Sequence, residues 1–281
     1  MSIIFISFAD DKMAFSLERI GKQAKKLQIF DQIILYTPDQ LPDYIKDSPL
    51  MQYKRGGGYW SWKPAIIYET LQQYEEGTIV VYTDAGCSLF QSSDWNDYFS
   101  YLKNVDTLCF QYKDEMPEWE KFGQTSTKIK YWTKESTISY FAQLLADESY
   151  GDRYNKIWGG AIICKGRNNA FIKKWLDITI KQPNLIIDPT EEELKDSKNK
   201  ELAYHKHDQS IITPLAHYFN TSVLILQEKA ETSTEGAIIA SRVRAQNKKE
   251  YLKLVLKDKM RSLLGKGLYN TIKARIKKVV R

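Results

Sequence analysis

The sequence predicts an α/β fold in which a mostly parallel sheet is flanked by helices. The first observation is that short apolar, β-branched runs alternate along the chain with segments of helical periodicity. The second is that these runs are apolar throughout, which is typical of parallel strands buried on both faces. The third is length, because 281 residues with 43% hydrophobic and 13% aromatic residues can build one large core.

The predicted elements alternate from one end of the chain to the other. Strands are predicted at 3–8, 32–37, 78–84, 107–112, 157–165 and 222–227, and helices at 16–27, 65–74, 94–105, 137–146 and 168–180. The charged stretch 188–201 is predicted to be a solvated loop or a surface helix. No internal repeat or low-complexity linker divides the chain.

The cysteine and apolar patterns indicate the compartment. Cys87, Cys109 and Cys164 are scattered without a CxxC pair, and each lies in or beside an apolar run. This pattern favours buried free thiols in a reducing compartment. No run approaches the roughly 18 apolar residues that span a bilayer. The apolar start of the chain lacks a basic region and is followed at once by acids, so we expect a core strand and a cytoplasmic protein.

Positive charge is concentrated at the carboxyl-terminal end. Residues 248–281 hold 12 Lys and Arg against two acids, whereas residues 1–247 hold 29 basic and 33 acidic residues. The sequence therefore predicts a main domain over 1–247 and a basic amphipathic helical tail over 248–281. A weakly acidic main domain argues against one that wraps around nucleic acid.

The apolar residues of the tail recur at roughly helical intervals. They are Leu252, Val255, Leu256, Leu263, Leu264, Leu268, Ile272, Ile276 and Val279. Such a helix can lie in a membrane interface with its cations toward anionic head groups. The alternatives are a helix packed on its own domain with a solvated basic face, or an RNA-binding segment. We expect the tail to bind an anionic membrane surface, with the protein peripheral at the inner membrane face.

An acidic residue follows the apolar run “TIVVYT”. In an open parallel sheet, ligands bind beyond the carboxyl ends of the strands, and Asp84 stands at that place. Gly86 follows two residues later and leaves room for close backbone approach. The alternative is that Asp84 only caps a turn or a helix.

The stretch “RGGGYWSWKP” combines glycines, aromatic rings and cations. Lys63 lies at the start of a helix beside a proline, and a helix N-terminus with a nearby lysine favours anions. Arg55 and the glycines at 56–58 can supply a guanidinium and exposed backbone N–H groups to a phosphate. Trp60 and Trp62 can stack on a base or a sugar. The alternative is an aromatic plug with surface cations.

Two further stretches are candidates for the same pocket. “IWGGAIICK” carries Gly159 and Gly160 at its entry, where a side chain would block close approach. “HKHDQS” places His207, Asp208 and Gln209 at the mouth of a predicted helix. Asp208 can equally be the N-cap of that helix, and the histidines can be ordinary surface imidazoles. The His-x-His pair alone is weak evidence for a metal.

The motifs, taken in order, resemble those of bacterial glycosyltransferases with the GT-A nucleotide-sugar fold, associated with capsule or lipopolysaccharide synthesis. The stretches are “ISFAD”, “GGGYWSWKPAII”, “VVYTDAGC”, “WGGAIICK” and “HDQSI”, within residues 1–245. The resemblance implies transfer of a sugar from a nucleotide-diphosphate donor, with a UDP-sugar favoured, to a glycan or lipid-linked acceptor. It also implies donor contacts from Phe8 and Asp10.

The resemblance bears on cofactors as well. GT-A enzymes generally hold Mn²⁺ or Mg²⁺ with an Asp-x-Asp motif, and Asp84 matches its first acid while Gly86 replaces the second. Either Asp84 binds a metal with a later ligand such as His207, or cations such as Lys63 and Arg55 neutralise the diphosphate.

The resemblance also suggests a stereochemical outcome. “WGGAIICK” and “HDQS” resemble the segments that face and underlie the donor sugar in retaining galactosyltransferases, which favours retention. If the enzyme inverts, Asp208 is the natural general base. In either case a carboxylate such as Asp208 can stabilise the oxocarbenium character of the anomeric carbon, and Gln209 is expected to orient the sugar.

Three rivals remain at the level of sequence. A nucleotidyltransferase needs a Gly-rich basic loop after the first strand, and “ISFADDKMAFS” has none. A non-catalytic glycan- or nucleotide-binding module is compatible with the missing second acid. A nucleic-acid-binding protein using the basic tail predicts steep salt dependence.

Overall fold

The computed structural model describes residues 2–219, 221–225 and 236–256. The helices are α1 (Ala14–Leu27), α2 (Asp43–Lys46), α3 (Gly56–Tyr59), α4 (Trp62–Gln73), α5 (Asp94–Tyr101), α6 (Glu135–Leu145), α7 (Tyr150–Arg153), α8 (Ala170–Lys181), α9 (Glu191–Asp196) and α10 (Asp208–Tyr218). The strands are β1 (Ile3–Phe8), β2 (Gln32–Tyr36), β3 (Ile79–Thr83), β4 (Ser88–Leu89), β5 (Thr107–Gln111), β6 (Ala161–Lys165), β7 (Ser222–Ile225) and β8 (Ile238–Ile239). Residues 248–256 are also helical.

The central sheet has six strands in the order β2-β1-β3-β6-β5-β7. Five strands run in one direction, and β6 lies antiparallel between β3 and β5. The prediction of a mostly parallel sheet flanked by helices is therefore confirmed. β6 is shorter than predicted, because residues 158–160 precede it as irregular chain.

The reversed strand brings two distant motifs together. Thr83 at the end of β3 pairs with Ala161 at the start of β6, and the N–H of Asp84 donates to the carbonyl of Gly160 at 2.9 Å. In a purely parallel sheet, the start of one strand and the end of its neighbour would lie at opposite edges. The “WGG” segment therefore lies beside Asp84.

The strands are apolar because helices cover the sheet. All five residues of β3 are buried, as are all but the first residue of β1. α4 packs on α8, and α10 packs on α6 and α8, while α1 packs against β2 and β4. The three cysteines are free and buried within this core, as predicted.

The three glycines of “RGGGYW” form a left-handed turn. Five consecutive residues, 56–60, have positive φ angles between +54° and +90°. Two hydrogen bonds close the turn, from the N–H of Tyr59 to Arg55 O at 2.8 Å and from the N–H of Trp60 to Gly56 O at 3.2 Å. A left-handed helical residue costs about 1–2 kcal/mol when it carries a Cβ atom, and glycine avoids that cost. Glycine at the first three positions makes this turn feasible.

A second, two-stranded sheet was absent from the predicted elements. β4 and β8 pair antiparallel, and β8 belongs to a segment of residues 236–245 that we call the strap. The N–H of Val243 donates to Gly86 O at 3.0 Å, and the Ser16 hydroxyl donates to Val243 O at 2.9 Å. The strap therefore crosses the loop that follows Asp84. Strands of two residues are too short to give a periodic sequence signal.

The charged stretch 188–201 holds a short surface helix, α9, in agreement with one of the two forms predicted. A capping box between Thr190 and Glu193 starts this helix, which has no buried residue. The structure describes the predicted tail only as far as residue 256, and residues 257–281 lie outside the described part. The division into 1–247 and 248–281 stays a prediction.

Substitutions of the glycines test the left-handed turn. A Cβ at Gly57 would meet only Trp62 Nε1 at 3.6 Å, so Gly57→Ala should cost about 1–2 kcal/mol from backbone strain alone. A Cβ at Gly58 would lie 2.7 Å from Met51 Sδ, so Gly58→Ala should cost more. Urea unfolding followed by tryptophan fluorescence gives both values.

The matched control is Gly77→Ala, which has φ of +88° and no atom within 4 Å of an added Cβ. It should cost about as much as Gly57→Ala. A Gly58→Ala protein as stable as the wild type would contradict the left-handed turn.

Candidate active site at the carboxyl edge of the sheet

Lys63 is the centre of the candidate site. It lies in the first turn of α4 with its side chain only 2% exposed. Its ammonium donates to Asp208 Oδ2 at 2.7 Å and to Gly159 O at 2.8 Å, and it lies 3.1 Å from Asp84 Oδ1. We call these four residues the Lys63 cluster. They come from four segments that the fold brings together at one edge of the sheet.

Asp84 is the exposed acid of the cluster. Its side chain is 40% exposed, at the carboxyl end of β3. Oδ1 accepts a hydrogen bond from the Tyr82 hydroxyl at 2.5 Å in addition to the contact with Lys63. Burial, and then the charge of Asp84, raise the pKa of Tyr82, so this hydroxyl stays a donor. Asp84 is thereby held on one side and open to solvent on the other.

Asp208 is the buried acid. It is the first residue of α10, its side chain is 6% exposed, and its Oδ1 accepts from the N–H of Gln209 at 3.0 Å. Burial raises the pKa of Asp208, and the neighbouring Lys63 ammonium opposes that rise. Burial alone would lower the pKa of Lys63, but the charges of Asp208 and Asp84 outweigh it and raise the pKa. Lys63 therefore stays a cation between two carboxyl groups.

Gly159 and Gly160 leave space that other side chains of the protein occupy. A Cβ on Gly159 would lie 2.6 Å from Asp208 Oδ2, and a Cβ on Gly160 would overlap the indole of Trp158. Both glycines are buried. Their need for glycine therefore arises from packing inside the cluster, and close approach of a ligand to them stays a prediction.

The two tryptophans have different surroundings. Trp62 is buried, stacks on Phe8 with 4.0 Å between ring centroids, and donates from Nε1 to Gly56 O at 3.0 Å. Trp62 and Phe8 thus form an aromatic plug, which was the alternative to a ligand-stacking role for this tryptophan. Trp60 is half-buried, and its ring centroid lies 5.9 Å from the Lys63 ammonium. Trp60 is the tryptophan that borders the cluster and is open to solvent.

Arg55 has a carboxylate partner within the protein. Its Nη1 donates to both oxygens of Asp188 at 3.0 Å, and its guanidinium lies 4.4 Å from the centroid of the Tyr204 ring. The Tyr59 hydroxyl donates to the same carboxylate at 2.9 Å. Asp188 therefore fastens the glycine turn to the chain before α9. A contact between Arg55 and a donor stays a prediction.

The two histidines are buried and neutral. His205 Nδ1 accepts from the N–H of Lys134 at 3.2 Å, so Nε2–H donates to Leu185 O at 3.1 Å. His207 Nδ1 lies 2.7 Å from Ile186 O. Because a carbonyl oxygen only accepts, Nδ1 carries the proton and Nε2 carries the lone pair. Burial lowers the pKa of His207 to about 4 and that of His205 well below its usual range. The alternative that these histidines are ordinary surface imidazoles is therefore wrong.

The residues present do not fit a protein-built Mn²⁺ or Mg²⁺ site. Within the described ranges, no group of three His, Cys, Asp or Glu side chains is placed to hold a metal. Asp84 Oδ1 already contacts Lys63 and Tyr82, and His207 Nε2 lies 3.7 Å from Asp188 Oδ1. The predicted pair of Asp84 and His207 therefore has no geometry that supports it.

Three other predicted residues lie around the cluster. Asp10 follows β1 and caps a short 3-10 turn by accepting from the N–H of Lys12 at 3.1 Å. A Cβ on Gly86 would face the strap, 3.5 Å from Val243 O. Gln209 lies beside Gly159, and its Oε1 is buried without a hydrogen-bond partner among the described residues. A buried unpaired amide oxygen marks a place where a ligand hydroxyl can donate.

Sequence reasoning missed three residues that hold the site. Tyr82 and Asp188 are described above. Arg19 of α1 donates to Ser88 Oγ at 2.8 Å and also to Cys87 O, so it fixes the loop after Asp84. Tyr82 could have been found from the sequence. It precedes Asp84 by two residues, and side chains two positions apart along an extended chain lie on the same side. Asp188 and Arg19 act through contacts between residues 68 to 133 positions apart, which no local sequence pattern can reveal.

Comparison with known proteins gives distant likenesses only. No family model and no curated protein sequence matches the chain. Among solved structures, it is similar to mouse xyloside xylosyltransferase 1, with a TM-score of 0.43, 9% identity, and coverage of 85% of this chain and 97% of that one. A glycosyltransferase involved in glycosylating the major capsid of PBCV-1 has a TM-score of 0.46, 8% identity, and coverage of 91% and 100%.

A third neighbour is of another enzyme class. It is 4-diphosphocytidyl-2C-methyl-D-erythritol synthase from Anaerococcus prevotii, with a TM-score of 0.38, 12% identity, and coverage of 90% and 95%. Likenesses at this level carry no argument about activity. The function proposed below rests on the residues of the site.

Removal of the central cation tests the cluster. Lys63→Met leaves Asp208 buried without its partner, which should cost about 3–5 kcal/mol of unfolding free energy at pH 7.5. Without Lys63 the pKa of Asp208 rises further, so the folded state binds a proton more tightly than the unfolded state. That stabilisation is present at low pH and is lost as pH rises through the folded pKa. The destabilisation should therefore be smaller at pH 4.5 than at pH 7.5, as measured by urea unfolding.

The double variant Lys63→Met/Asp208→Asn serves as the control. It removes the buried negative charge and should recover part of the lost stability at pH 7.5. A Lys63→Met protein with the same loss at both pH values, and no recovery in the double variant, would contradict the charge arrangement.

Proposed function

We propose that the chain is a glycosyltransferase that moves a sugar from a nucleotide-diphosphate donor, a UDP-sugar above all, to a glycan or lipid-linked acceptor. Surface polysaccharide synthesis of the capsule or lipopolysaccharide type is the setting that its motifs favour. The observation that carries the proposal is the Lys63 cluster, which places one exposed and one buried carboxyl group at the carboxyl edge of the sheet.

The position of the cluster supports a ligand site. In open α/β sheets, ligands bind outside the carboxyl ends of the strands, where the chain direction or strand order changes. Asp84 ends β3 at the junction with the reversed β6, which is such a place. Gly159 and Gln209 lie beside Asp208, and the ring centroid of Trp60, the last residue of the glycine turn, lies 5.9 Å from the Lys63 ammonium.

The chemistry of glycosyl transfer matches the two acids. The anomeric carbon gains positive charge as the glycosidic bond breaks, and a fixed carboxylate beside it stabilises that charge. Asp208 is rigidly held for this role by Lys63 and by its own helix. Gln209 can accept a sugar hydroxyl through its unpaired Oε1, and Trp60 can exclude water from the donor.

The ion pair favours retention of anomeric configuration. A general base must accept the acceptor proton directly, and Asp208 Oδ2 is occupied by the Lys63 ammonium at 2.7 Å. In this proposal Asp208 stabilises charge, and the departing diphosphate oxygen is the group available to take the proton.

A non-catalytic sugar- or nucleotide-binding module is the second candidate. The observation that favours it is that both acids already contact Lys63 while Gly86 replaces the second acid of the usual motif. A binding module of this kind would hold a donor without turning it over.

Turnover separates the two candidates. Wild-type protein is incubated with UDP-, GDP- and CMP-sugars and a panel of glycan acceptors, and nucleotide release and the product anomer are read by NMR. Asp208→Asn should lower turnover at least about 100-fold while donor binding, read by thermal shift, changes little.

The matched control for this test is Asp106→Asn. Asp106 is an exposed acid that precedes β5, at the opposite edge of the sheet. It should leave turnover unchanged. A donor that raises the melting temperature yet is never turned over would favour the binding module, and no shift with any donor would overturn the transferase.

We also propose that the basic tail holds the protein at the inner face of a membrane. Within residues 2–219, 221–225 and 236–256, no helix is both long enough and apolar enough to cross a bilayer. The support comes from residues 248–256, which are helical and expose Leu252 at 49% and Leu256 at 59% beside lysines. Exposed leucines one turn apart with flanking cations suit a membrane interface.

Flotation with anionic vesicles tests the attachment. Leu252→Glu/Leu256→Glu should weaken binding to phosphatidylglycerol-containing vesicles at least about tenfold, because it removes apolar contact and adds negative charge. Leu194→Glu is the control, since Leu194 is equally exposed on α9. Equal binding by the wild type and the double variant would refute the proposed role of these leucines.

A further inference from the structure

A second group of polar and aromatic side chains lies beside the Lys63 cluster. It is centred on His207, the residue before Asp208, and we call it the His207 cluster. The ring centroid of His207 lies 5.5 Å from that of Trp60, which in turn lies 5.9 Å from the Lys63 ammonium. The two clusters therefore share the indole of Trp60 as a common wall. The members of the His207 cluster are Arg55, Tyr59, Trp60, Asp188, Tyr204 and His207.

The imidazole of His207 carries an acceptor that the protein does not use. Its Nδ1–H donates to Ile186 O, so the lone pair is on Nε2, and this atom is buried without a hydrogen-bond partner among the described residues. Nε2 lies 3.7 Å from Asp188 Oδ1, and because burial lowers the pKa of His207 to about 4, both atoms are acceptors at neutral pH. A buried acceptor without a donor is costly. A ligand that donates to both atoms would remove that cost.

The backbone of His207 is strained. Its φ of +51° and ψ of −110° lie outside the regions that a residue with a Cβ atom favours. Its carbonyl accepts from the N–H of Ser210 at 3.0 Å, and its ring packs against Tyr59 with 4.7 Å between centroids. Strained residues persist where their surroundings enforce them, and they are concentrated at active sites and ligand-binding sites. The position of the imidazole is therefore fixed by the protein itself.

The other members of the cluster combine a held carboxylate with accessible rings. The Asp188 side chain is 38% exposed, and it accepts from Arg55 Nη1 at 3.0 Å and from the Tyr59 hydroxyl at 2.9 Å. Tyr204 is 37% exposed and Trp60 is half-buried. Aromatic rings pack on the apolar faces of sugars, and carboxylate and imidazole acceptors take the protons of sugar hydroxyls. A phosphate dianion can donate to neither acceptor, so the cluster favours hydroxyl groups over anions.

We propose that the His207 cluster binds a sugar ring through two neighbouring hydroxyl groups, one donating to His207 Nε2 and the other to Asp188 Oδ1. Two acceptors 3.7 Å apart suit such a pair of donors, each at a hydrogen-bond distance of about 2.8 Å. The imidazole is covered, so a hydroxyl enters when the exposed Tyr204 ring turns away, and side-chain rotations of this kind are common on binding. The assignment of this sugar to the glycan acceptor rests on the proposed function.

NMR of the imidazole nitrogens tests the proposal on the unmodified chain, which has three histidines. Protein labelled with ¹⁵N-histidine is titrated at pH 7.5 with methyl glycosides of the common hexoses. The Nε2 resonance of His207 should move as its lone pair accepts a hydrogen bond, while the resonances of His205 and His217 stay in place. A 3-deoxy glycoside has no neighbouring ring hydroxyls, so it should bind at least about tenfold more weakly.

A matched pair of variants isolates the Nε2 atom. His207→Asn removes it, keeps an amide N–H for Ile186 O and tolerates a positive φ, and it should weaken glycoside binding at least about tenfold. His217→Asn is the control, because His217 also has a buried, unpaired Nε2 but stacks on Tyr154 near the other end of α10. It should bind glycosides like the wild type. An unmoved His207 resonance with every glycoside, equal binding of the 3-deoxy compound, or equal losses in the two variants would overturn the proposal.

Two further measurements separate this inference from the proposed function. A His207 resonance that moves with uridine but with no glycoside would support the hydroxyl-binding site and overturn its assignment to the acceptor. Turnover by His207→Asn with an unchanged acceptor KM would also overturn that assignment and leave the transferase standing. Glycoside binding at His207 without turnover of any nucleotide-sugar would support the hydroxyl-binding site and count against the transferase.

Discussion

The ion pair between Lys63 and Asp208 is the interaction on which the edge of the sheet depends. A buried ammonium and a buried carboxyl group are each costly alone, because charge loses its hydration inside the protein. Together with Asp84 and Gly159 O they satisfy one another. The loop after β3, the chain before β6 and the start of α10 are therefore fixed relative to α4 by one side chain. The aromatic residues around Lys63 exclude water and strengthen these contacts.

Two backbone constraints make this ion pair possible. The left-handed turn at 56–60 leads into α4, whose first turn carries Lys63. The reversed strand β6 delivers Gly159 to the same place, and its missing side chain leaves room for the Asp208 carboxylate. Neither constraint involves a ligand. The glycines that look like a phosphate-binding loop in the sequence are required for folding in their own right.

The sequence predicts the alternating elements well, because burial on both faces of a sheet demands apolar runs such as “IIFISF” and “TIVVYT”. It also identifies the members of the cluster, since Lys63, Asp84 and Asp208 each follow or begin a predicted element. Their mutual contacts could not be predicted, because strand order and the reversal of β6 are set by packing over long separations. For the same reason Arg55 was expected to face a ligand, while the structure pairs it with Asp188. The pair of two-residue strands, β4 and β8, left no pattern at all.

The fastening of the strap to α1 bears on how the chain is made. Ser16 is bonded to Val243 and Ala245, which follow it by 227 and 229 positions. Contacts of such long range close only after residue 245 has been synthesised, and long-range contacts form slowly. The edge of the sheet beside Gly86 therefore stays uncovered during synthesis. A chain cut before the strap lacks this cover, so the state of the edge beside Gly86 reports whether residues 236–245 have been added to the fold.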